Sequence, residues 1–250
     1  MPPLTSFFLS RGFEGLKDYV NEIRNSRVYE IAKKTPVDHA GLLSDRLKNR
    51  VLLKREDLQP VYSFKLRGAY NKLCKLSEEQ RATGVVAASA GNHAQGLAMA
   101  AKQLNIIPTI VMPTTTPQIK LNAVRYWGAE ILLHGDTFDQ ALIYAKKLEL
   151  EKGLIFVDPF DDPDVIVGQG TVGLEIVNQI EDPLDAIFVP VGGGGLLAGI
   201  ATYVSQAWTN TKIFGVEPED AACLKAALKN GSPTELKEVG LFVDGCAVSL

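Results

Sequence analysis

Three segments of this 250-residue chain combine residue types and spacings that suit chemistry. The first is Pro190-Val191-Gly192-Gly193-Gly194-Gly195-Leu196, which follows an apolar strand pattern and opens a helical one. Consecutive glycines let backbone N–H groups converge without obstruction by Cβ atoms. A helix N-terminus adds the positive end of its dipole, so the segment suits an anion, phosphate above all. The plainer alternative is a flexible turn, and against it stands the chain entropy that four glycines lose on ordering. The spacing Gly193-x-Gly195-x-x-Ala198 also fits a dinucleotide fingerprint, and Glu217 stands about 22 positions later, where a ribose-binding acid belongs. A Walker A reading fails, because no Gly-Lys-Ser/Thr follows the glycines. This segment alone implies a phosphorylated cofactor and leaves open which one.

The second segment is Ser63-Phe64-Lys65-Leu66-Arg67-Gly68-Ala69. Ser63 is a natural N-cap, which puts Lys65 in the first turn of a helix, where the dipole disfavours a cation. Dipole and burial both push an ammonium pKa down, and a lysine of lowered pKa is what Schiff-base chemistry with an aldehyde needs. The alternative is a solvated surface lysine. The third segment, Ala88-Ser89-Ala90-Gly91-Asn92-His93-Ala94-Gln95-Gly96, again joins a strand to a helix and offers a second anion site, fit for a carboxylate. Asn92 can donate a side-chain hydrogen bond to a ligand; Ser89 or Asn92 can equally be a plain N-cap. His93 is an unremarkable helix residue on its own. His39 and His134 lie far off in sequence and no H-E-x-x-H occurs, so no metal site is expected.

These segments need elements to hold them. Val51–Lys54 reads as a strand and Phe64–Leu76 as a helix. Strands follow at Val85–Ala88, Ile106–Met112, Glu130–Leu133, Ala186–Val191 and Lys212–Glu217. Helices alternate with them at Asn92–Leu104, Pro117–Tyr126, Thr137–Glu151 and Val167–Ile180, then from Leu196 and from Glu219. In the Asn92 helix, Ala94, Leu97, Ala98 and Ala101 mark one apolar face. Uninterrupted apolar strands alternating with helices predict an α/β chain with parallel sheets covered on both faces. Three closely spaced βα units between Thr83-Gly84 and Asp158-Pro159-Phe160-Asp161-Asp162-Pro163 suggest two lobes with a ligand cleft beyond the strand ends.

Composition closes off other classes. Hydrophobic residues make up 46% and charged residues 22%, the range of a soluble globular chain rather than a disordered, collagenous or coiled-coil one. A formal charge of −3 gives no basic field for nucleic acid, so none is expected as a partner. No run approaches the ~20 apolar residues of a membrane helix, so no membrane association is expected. The apolar start Phe7-Phe8-Leu9 lacks a preceding basic region and makes a poor signal peptide. Cys74, Cys223 and Cys246 are widely spaced, which argues against disulfides and zinc and for small buried hydrophobes. A cytoplasmic location is expected.

Together the three segments resemble the fold-type-II pyridoxal-phosphate enzymes, specifically the threonine/serine dehydratase group. Ser63–Ala69 is similar to that family's cofactor-lysine motif, Ser89-Ala90-Gly91-Asn92-His93 to its substrate-carboxylate loop and Gly192–Gly195 to its phosphate loop. Order and spacing agree, and the likeness runs from about Arg27 to the last residue. Leu132-Leu133-His134-Gly135, Val167-Gly168-Gln169-Gly170-Thr171 and Val239-Gly240-Leu241-Phe242 look more like the biosynthetic threonine branch than like serine racemase or the catabolic serine/threonine enzymes.

The resemblance implies two open, mostly parallel βα lobes of the tryptophan synthase β type with the cofactor cleft between them. Residues 1–83 and 160–250 would form the large lobe and residues 84–159 the small one. It implies pyridoxal 5'-phosphate carried on Lys65, whose freed amine takes the substrate Cα proton. Loss of the β-hydroxyl and hydrolysis then yield a 2-oxo acid and ammonia. From L-threonine the product is 2-oxobutanoate, the entry to isoleucine synthesis, and L-serine is the second candidate substrate. Asn92 would hydrogen-bond the cofactor's phenolic oxygen, and the backbone of Ser89 to His93 would hold the substrate carboxylate. Gly192, Gly193, Gly194 and Gly195 would hold the phosphate. Phe64 would pack near the cofactor or serve as ordinary core, and Arg67 would make structural hydrogen bonds. A homo-oligomer is implied as well.

Two departures from the family stand out. Some relatives bind a divalent cation near the stretch matching Glu217–Cys223, but Cys223 stands where they carry an acid, so no metal is expected. The side chain that caps the pyridine nitrogen in the family, the last large-lobe segments and the regulatory C-terminal domain would all lie beyond Leu250. The expectation is therefore a C-terminally incomplete member. The competing readings are an NAD-dependent dehydrogenase, which leaves the Lys65 and Asn92 segments unexplained, and a non-enzymatic binding or oligomerising fragment.

Overall fold

The computed structural model describes residues 16–240 and 242–249. After helix α1 (Leu16–Arg24), strand β1 (Val37–His39), helix α2 (Gly41–Leu47) and strand β2 (Leu52–Lys54) form an antiparallel unit, with Val37 opposite Lys54. This unit departs from the parallel pattern expected for the Val51 strand. Helices α3 (Lys65–Cys74) and α4 (Glu78–Thr83) follow; Ser77 starts the latter in a capping box with Gln80.

A four-stranded parallel sheet comes next, in the order β5-β4-β3-β6. It comprises β3 (Val85–Ala88), β4 (Pro108–Met112), β5 (Glu130–Leu133) and the two-residue β6 (Ile155–Phe156). The connecting helices are α5 (Asn92–Gln103), α6 (Gln118–Tyr126) and α7 (Phe138–Lys152). All four residues of β3 are buried, as a central strand covered on both faces must be. The α5 stripe predicted from spacing, Ala94, Leu97, Ala98 and Ala101, is fully buried against that sheet and against Ala69, Tyr70 and Leu73 of α3. Pro108 opens β4, the one strand position where its missing N–H costs nothing. Helix α7 starts on the Thr137 hydroxyl, which accepts from the Gln140 N–H, and ends at Gly153 in the left-handed region.

The remaining unit is helix α8 (Pro163–Gln179), strand β7 (Ala186–Pro190), helix α9 (Gly195–Ala207) and strand β8 (Lys212–Val216). β7 and β8 pair in parallel, with Phe188 opposite Phe214. One face of this ribbon packs on α8 and α9 through Val172, Ile176, Ile187, Val189, Ile200 and Val204. On the other face Phe188 and Phe214 stack at 5.1 Å and remain exposed. The helix expected from Glu219 begins later: Glu219–Ala221 form a 3-10 turn, and helix α10 runs from Cys223 to Asn230.

Helix α3 links the two halves. Its Leu73, Ala69 and Tyr70 belong to the core under the four-stranded sheet, while the Gly68 N–H donates to the Gln169 side chain of α8 at 3.2 Å. Lys65, the first residue of α3, therefore sits where the helices of both halves meet.

Candidate active site

Lys65 begins α3, as the sequence predicts, with Phe64 rather than Ser63 in the cap position; the Ser63 hydroxyl still accepts the Lys65 N–H at 3.1 Å. The Lys65 ammonium donates to the neutral carbonyl of Pro159 at 2.8 Å. Burial pushes its pKa down to about 8, opposed in part by Asp158 and Cys246. At pH 7 roughly a tenth is then free amine, far more than for a lysine at its ordinary value. Phe64 is half-buried against the β7–α8–α9 core, with its ring centre 5.5 Å from the Lys65 nitrogen. Its packing is that of the core reading.

The glycines at the head of α9 have four different reasons to lack a side chain. Gly194 has φ +85°, which L residues rarely adopt, and a Cβ there would meet open space. A Cβ on Gly193 would fall 2.2 Å from the Phe160 ring, and one on Gly195 would fall 2.4 Å from the Phe160 carbonyl oxygen. Gly192 packs against Val248, Gly245 and Cys246. Among the described residues no side chain caps α9, so its first backbone N–H groups have no partner within the helix. An uncapped helix start of this kind is able to receive an anion.

The third segment reaches the same place through α5. A Cβ on Gly96 would lie 2.8 Å from the Leu66 nitrogen and 2.9 Å from the Lys65 carbonyl carbon, so the two helix backbones touch at the lysine. His93, one turn earlier on that face, is buried. Its Nε2 lies 3.0 Å from the Val157 carbonyl, which accepts only, so Nε2 carries the hydrogen. Nδ1 is then an unprotonated acceptor, buried and without a partner. Burial, helped by the Lys65 charge, lowers the His93 pKa to about 3. The Ser89 hydroxyl accepts from the N–H groups of Gly91 (3.2 Å) and Ala94 (3.3 Å), which leaves its own hydrogen to donate. Gly91, rather than Ser89 or Asn92, holds the cap position of α5 and Asn92 is its first residue, while Ser89 still serves the helix start through the Ala94 N–H. Ala90 and Gly91 are half-buried, Gly91 faces open space, and Asn92 stands exposed at the start of α5.

Two residues past Lys65 the chemistry inverts. Arg67 is fully buried and donates to Glu175 (2.6 Å), to both oxygens of Glu56 (2.8 Å each) and to Thr171 (3.0 Å). Lys54 joins Glu175 at 2.6 Å. Burial alone would lower the Arg67 pKa; the hydrogen bonds to Glu56 and Glu175 outweigh it and raise it. This is the structural role expected of Arg67. Glu56, Glu175 and Lys54 were not singled out from sequence, although Glu175 is visible as a lone charge in an otherwise apolar helical stretch.

Glu217 accepts the N–H groups of Leu224 (2.8 Å) and Lys225 (2.9 Å) and so caps α10; a ribose hydroxyl or a cation there would compete with both. Among the described residues no cluster of His, Cys, Asp or Glu could hold a metal ion. Nor is any helix long and apolar enough to cross a membrane. All three cysteines are free; Cys223 is buried, whereas Cys74 and Cys246 are only half-buried, short of the burial expected for them.

Sequence reasoning treated residues 158–163 as a boundary and missed their part in the site. Here Pro159 receives the Lys65 ammonium and Phe160 lies on the glycines. The available signal was two prolines and three aspartates within six residues, more turn chemistry than a plain crossover needs.

The family model for pyridoxal-phosphate dependent enzymes matches residues 28–249. The biosynthetic L-threonine dehydratase of Haemophilus influenzae is 56% identical over 233 residues, covering 92% of this chain and 45% of that protein. The processed form of threonine deaminase isoform 2 from Solanum lycopersicum superimposes with a TM-score of 0.92 at 52% identity, over 94% of this chain and 68% of that one. Maize serine racemase does so with a TM-score of 0.87 at 30% identity, over 92% and 70%. The chain spans about half the length of the curated relatives it matches.

Proposed function

The chain belongs to the family of pyridoxal-phosphate dependent enzymes, and from that premise we propose that it is the catalytic part of a threonine ammonia-lyase. Its fold is the α/β, fold-type-II arrangement anticipated from sequence. The reaction is the conversion of L-threonine to 2-oxobutanoate and ammonia, feeding isoleucine synthesis. The observation that carries this reading is the Lys65 amine, desolvated at a helix start with a neutral carbonyl as its acceptor. The residues present fit the cofactor. The uncapped head of α9 and the open side of Gly194 suit a phosphate, and Lys65 suits an aldehyde.

When bound, pyridoxal phosphate supplies the electron sink for a carbanion at the substrate Cα. Around it, Gly192–Gly195 would hold the phosphate and Lys65 would carry the aldehyde carbon. Asn92 would donate to the phenolic oxygen, and Phe64 would flank the ring. The backbone of Ser89 to His93, together with the Ser89 O–H, would hold the substrate carboxylate. With a pKa near 8, Lys65 Nζ can take the Cα proton as free base and return a proton from the same position. Lys65 thus acts as general base, and the buried, neutral His93 beside it does not compete for that proton. In this reading residues 84–159 form the small, substrate-carboxylate lobe and the flanking segments the cofactor lobe. Three free cysteines support a reducing, cytoplasmic setting. The exposed Leu42, Leu43 and Leu47 of α2 support a homo-oligomer.

Addition of pyridoxal phosphate to the purified protein is expected to give a visible absorbance band that borohydride removes and Lys65→Ala lacks. Threonine is expected to yield 2-oxobutanoate faster than serine yields pyruvate. Absence of the band ends the reading, and equal rates end the threonine assignment.

A further inference from the structure

One short strap touches all three motif segments. The Val157 carbonyl accepts from His93 at 3.0 Å, and the Pro159 carbonyl accepts from Lys65 at 2.8 Å. The Phe160 ring lies on Gly193 and the Phe160 carbonyl on Gly195. The strap is held at both ends and in the middle. The Val157 N–H donates to Val86 at 2.9 Å. Asp158 Oδ1 accepts the N–H groups of Phe160 (2.9 Å) and Asp161 (2.7 Å). Asp162 caps α8 and pairs with Lys72 at 2.8 Å. A strap fixed in this way can hold another segment in place.

The glycine loop is wedged. Phe160 lies against Gly193 and Gly195, Gly245, Cys246 and Val248 lie near Gly192, and a Cβ at Gly194 would meet open space. Phe160 belongs to none of the apolar clusters of the core among the described residues. Its ring packs instead against the backbone that must converge on an anion. We propose that Phe160 is a positioning residue for the phosphate loop, and that position 193 is glycine to admit the Phe160 ring rather than the phosphate. The inference rests on the pyridoxal-phosphate reading. It assigns to Phe160 the placement of the N–H groups of Gly193 to Gly195, while the adjacent Pro159 carbonyl sets where the Lys65 amine waits.

The test is a double-substitution cycle in the full chain: Phe160→Ala, Gly193→Ala and both together. Affinity is read from the visible band with pyridoxal phosphate and, separately, with pyridoxal, which offers the same aldehyde without the phosphate. Phe160→Ala is expected to weaken pyridoxal phosphate by on the order of tenfold to a hundredfold and to leave pyridoxal unchanged. Phe160→Tyr, which keeps the ring, is expected to retain wild-type affinity. Gly193→Ala is expected to lower the melting temperature of the cofactor-free protein, because its methyl has nowhere to go. Adding Phe160→Ala to it is expected to restore much of that loss. Equal weakening of both ligands by Phe160→Ala would reduce the residue to general packing and overturn the inference. So would losses in the double variant that simply add. Should Phe160→Ala fail to fold, Phe160→Leu carries the same comparison. A wild-type protein that gives no band with either ligand would instead sink the cofactor reading itself, a result visible before any variant is made.

Discussion

Helix α3 handles two cations, two residues apart, in opposite ways. Arg67 is fully buried and its guanidinium is shared by two carboxylates and a hydroxyl, so its charge is secured. Lys65 is desolvated, its hydrogen-bond acceptor among the described residues is a carbonyl, and its pKa falls to about 8 despite the partly opposing influence of Asp158 and Cys246. Its neighbour His93 shares that condition, with a buried Nδ1 that nothing satisfies. Burial therefore does not decide a residue's role by itself. Complete pairing fixes the charge of a buried cation, and incomplete pairing leaves its proton easier to lose.

The largest expected effect breaks this contrast at neutral pH. Arg67→Met leaves the buried Glu175 and the half-buried Glu56 with one counter-charge fewer and is expected to cost about 3–5 kcal/mol in denaturant unfolding. Lys65→Met removes a charge the fold resists and is expected to leave the cofactor-free protein no less stable. Equal losses from the two would show that the pairing difference has no energetic content.

His93 extends the comparison to acid. Its folded pKa of about 3 lies below its ordinary value near 6.5, so between those limits the unfolded chain binds the extra proton. Stability is lost as pH falls through that window, by at most ~1.4 kcal/mol per pH unit for one proton. Measured against wild type in urea, His93→Gln is expected to flatten this portion of the profile; parallel profiles would mean that His93 is not held neutral. Lys65 predicts a smaller total change, over a narrower window on the alkaline side. From about pH 8 to its ordinary value of 10.5 the folded protein has released a proton that the unfolded chain keeps. Wild-type stability therefore climbs with pH relative to Lys65→Met across that range. A constant difference between the two would place the Lys65 pKa at its ordinary value.

Much of this was legible in sequence, because local rules govern the parts concerned. The α5 stripe, the strand at Val85–Ala88 and the placement of Lys65 in a first helical turn follow from periodicity and capping. The three loops could be named because glycines and small residues at strand-to-helix junctions have few other uses. What stayed hidden depends on contacts distant in sequence. Nothing around Glu56 or Lys54 announces Arg67 or Glu175 as partners. Phe160 looks like any turn aromatic until the chain brings Gly193 beneath it. The four glycines read as one phosphate motif, yet two of them answer to Phe160 and one to residues 245–248. The antiparallel pairing of β1 with β2 was equally silent, since a strand of three residues carries no mark of direction.

Strand β6 has a consequence for the order in which the molecule assembles. It is two residues long, and its pairing with β3 closes the chain from residue 86 to residue 156. The β7–α9–β8 unit closes a much shorter span, from residue 186 to residue 212. Loop closure grows costlier with span, and a short strand returns little for it, so β6 is expected to dock late and open early. The strap that gathers Lys65, His93 and the glycines begins at the very next residue, which ties completion of the site to that weak closure. In native-state hydrogen exchange the Val157 amide, bonded to Val86, is expected to exchange before the Val191 amide, bonded to Val216. The reverse order would make the strap part of the most stable unit. A site completed by so weak a closure is expected to open and re-form many times within one lifetime of the folded protein.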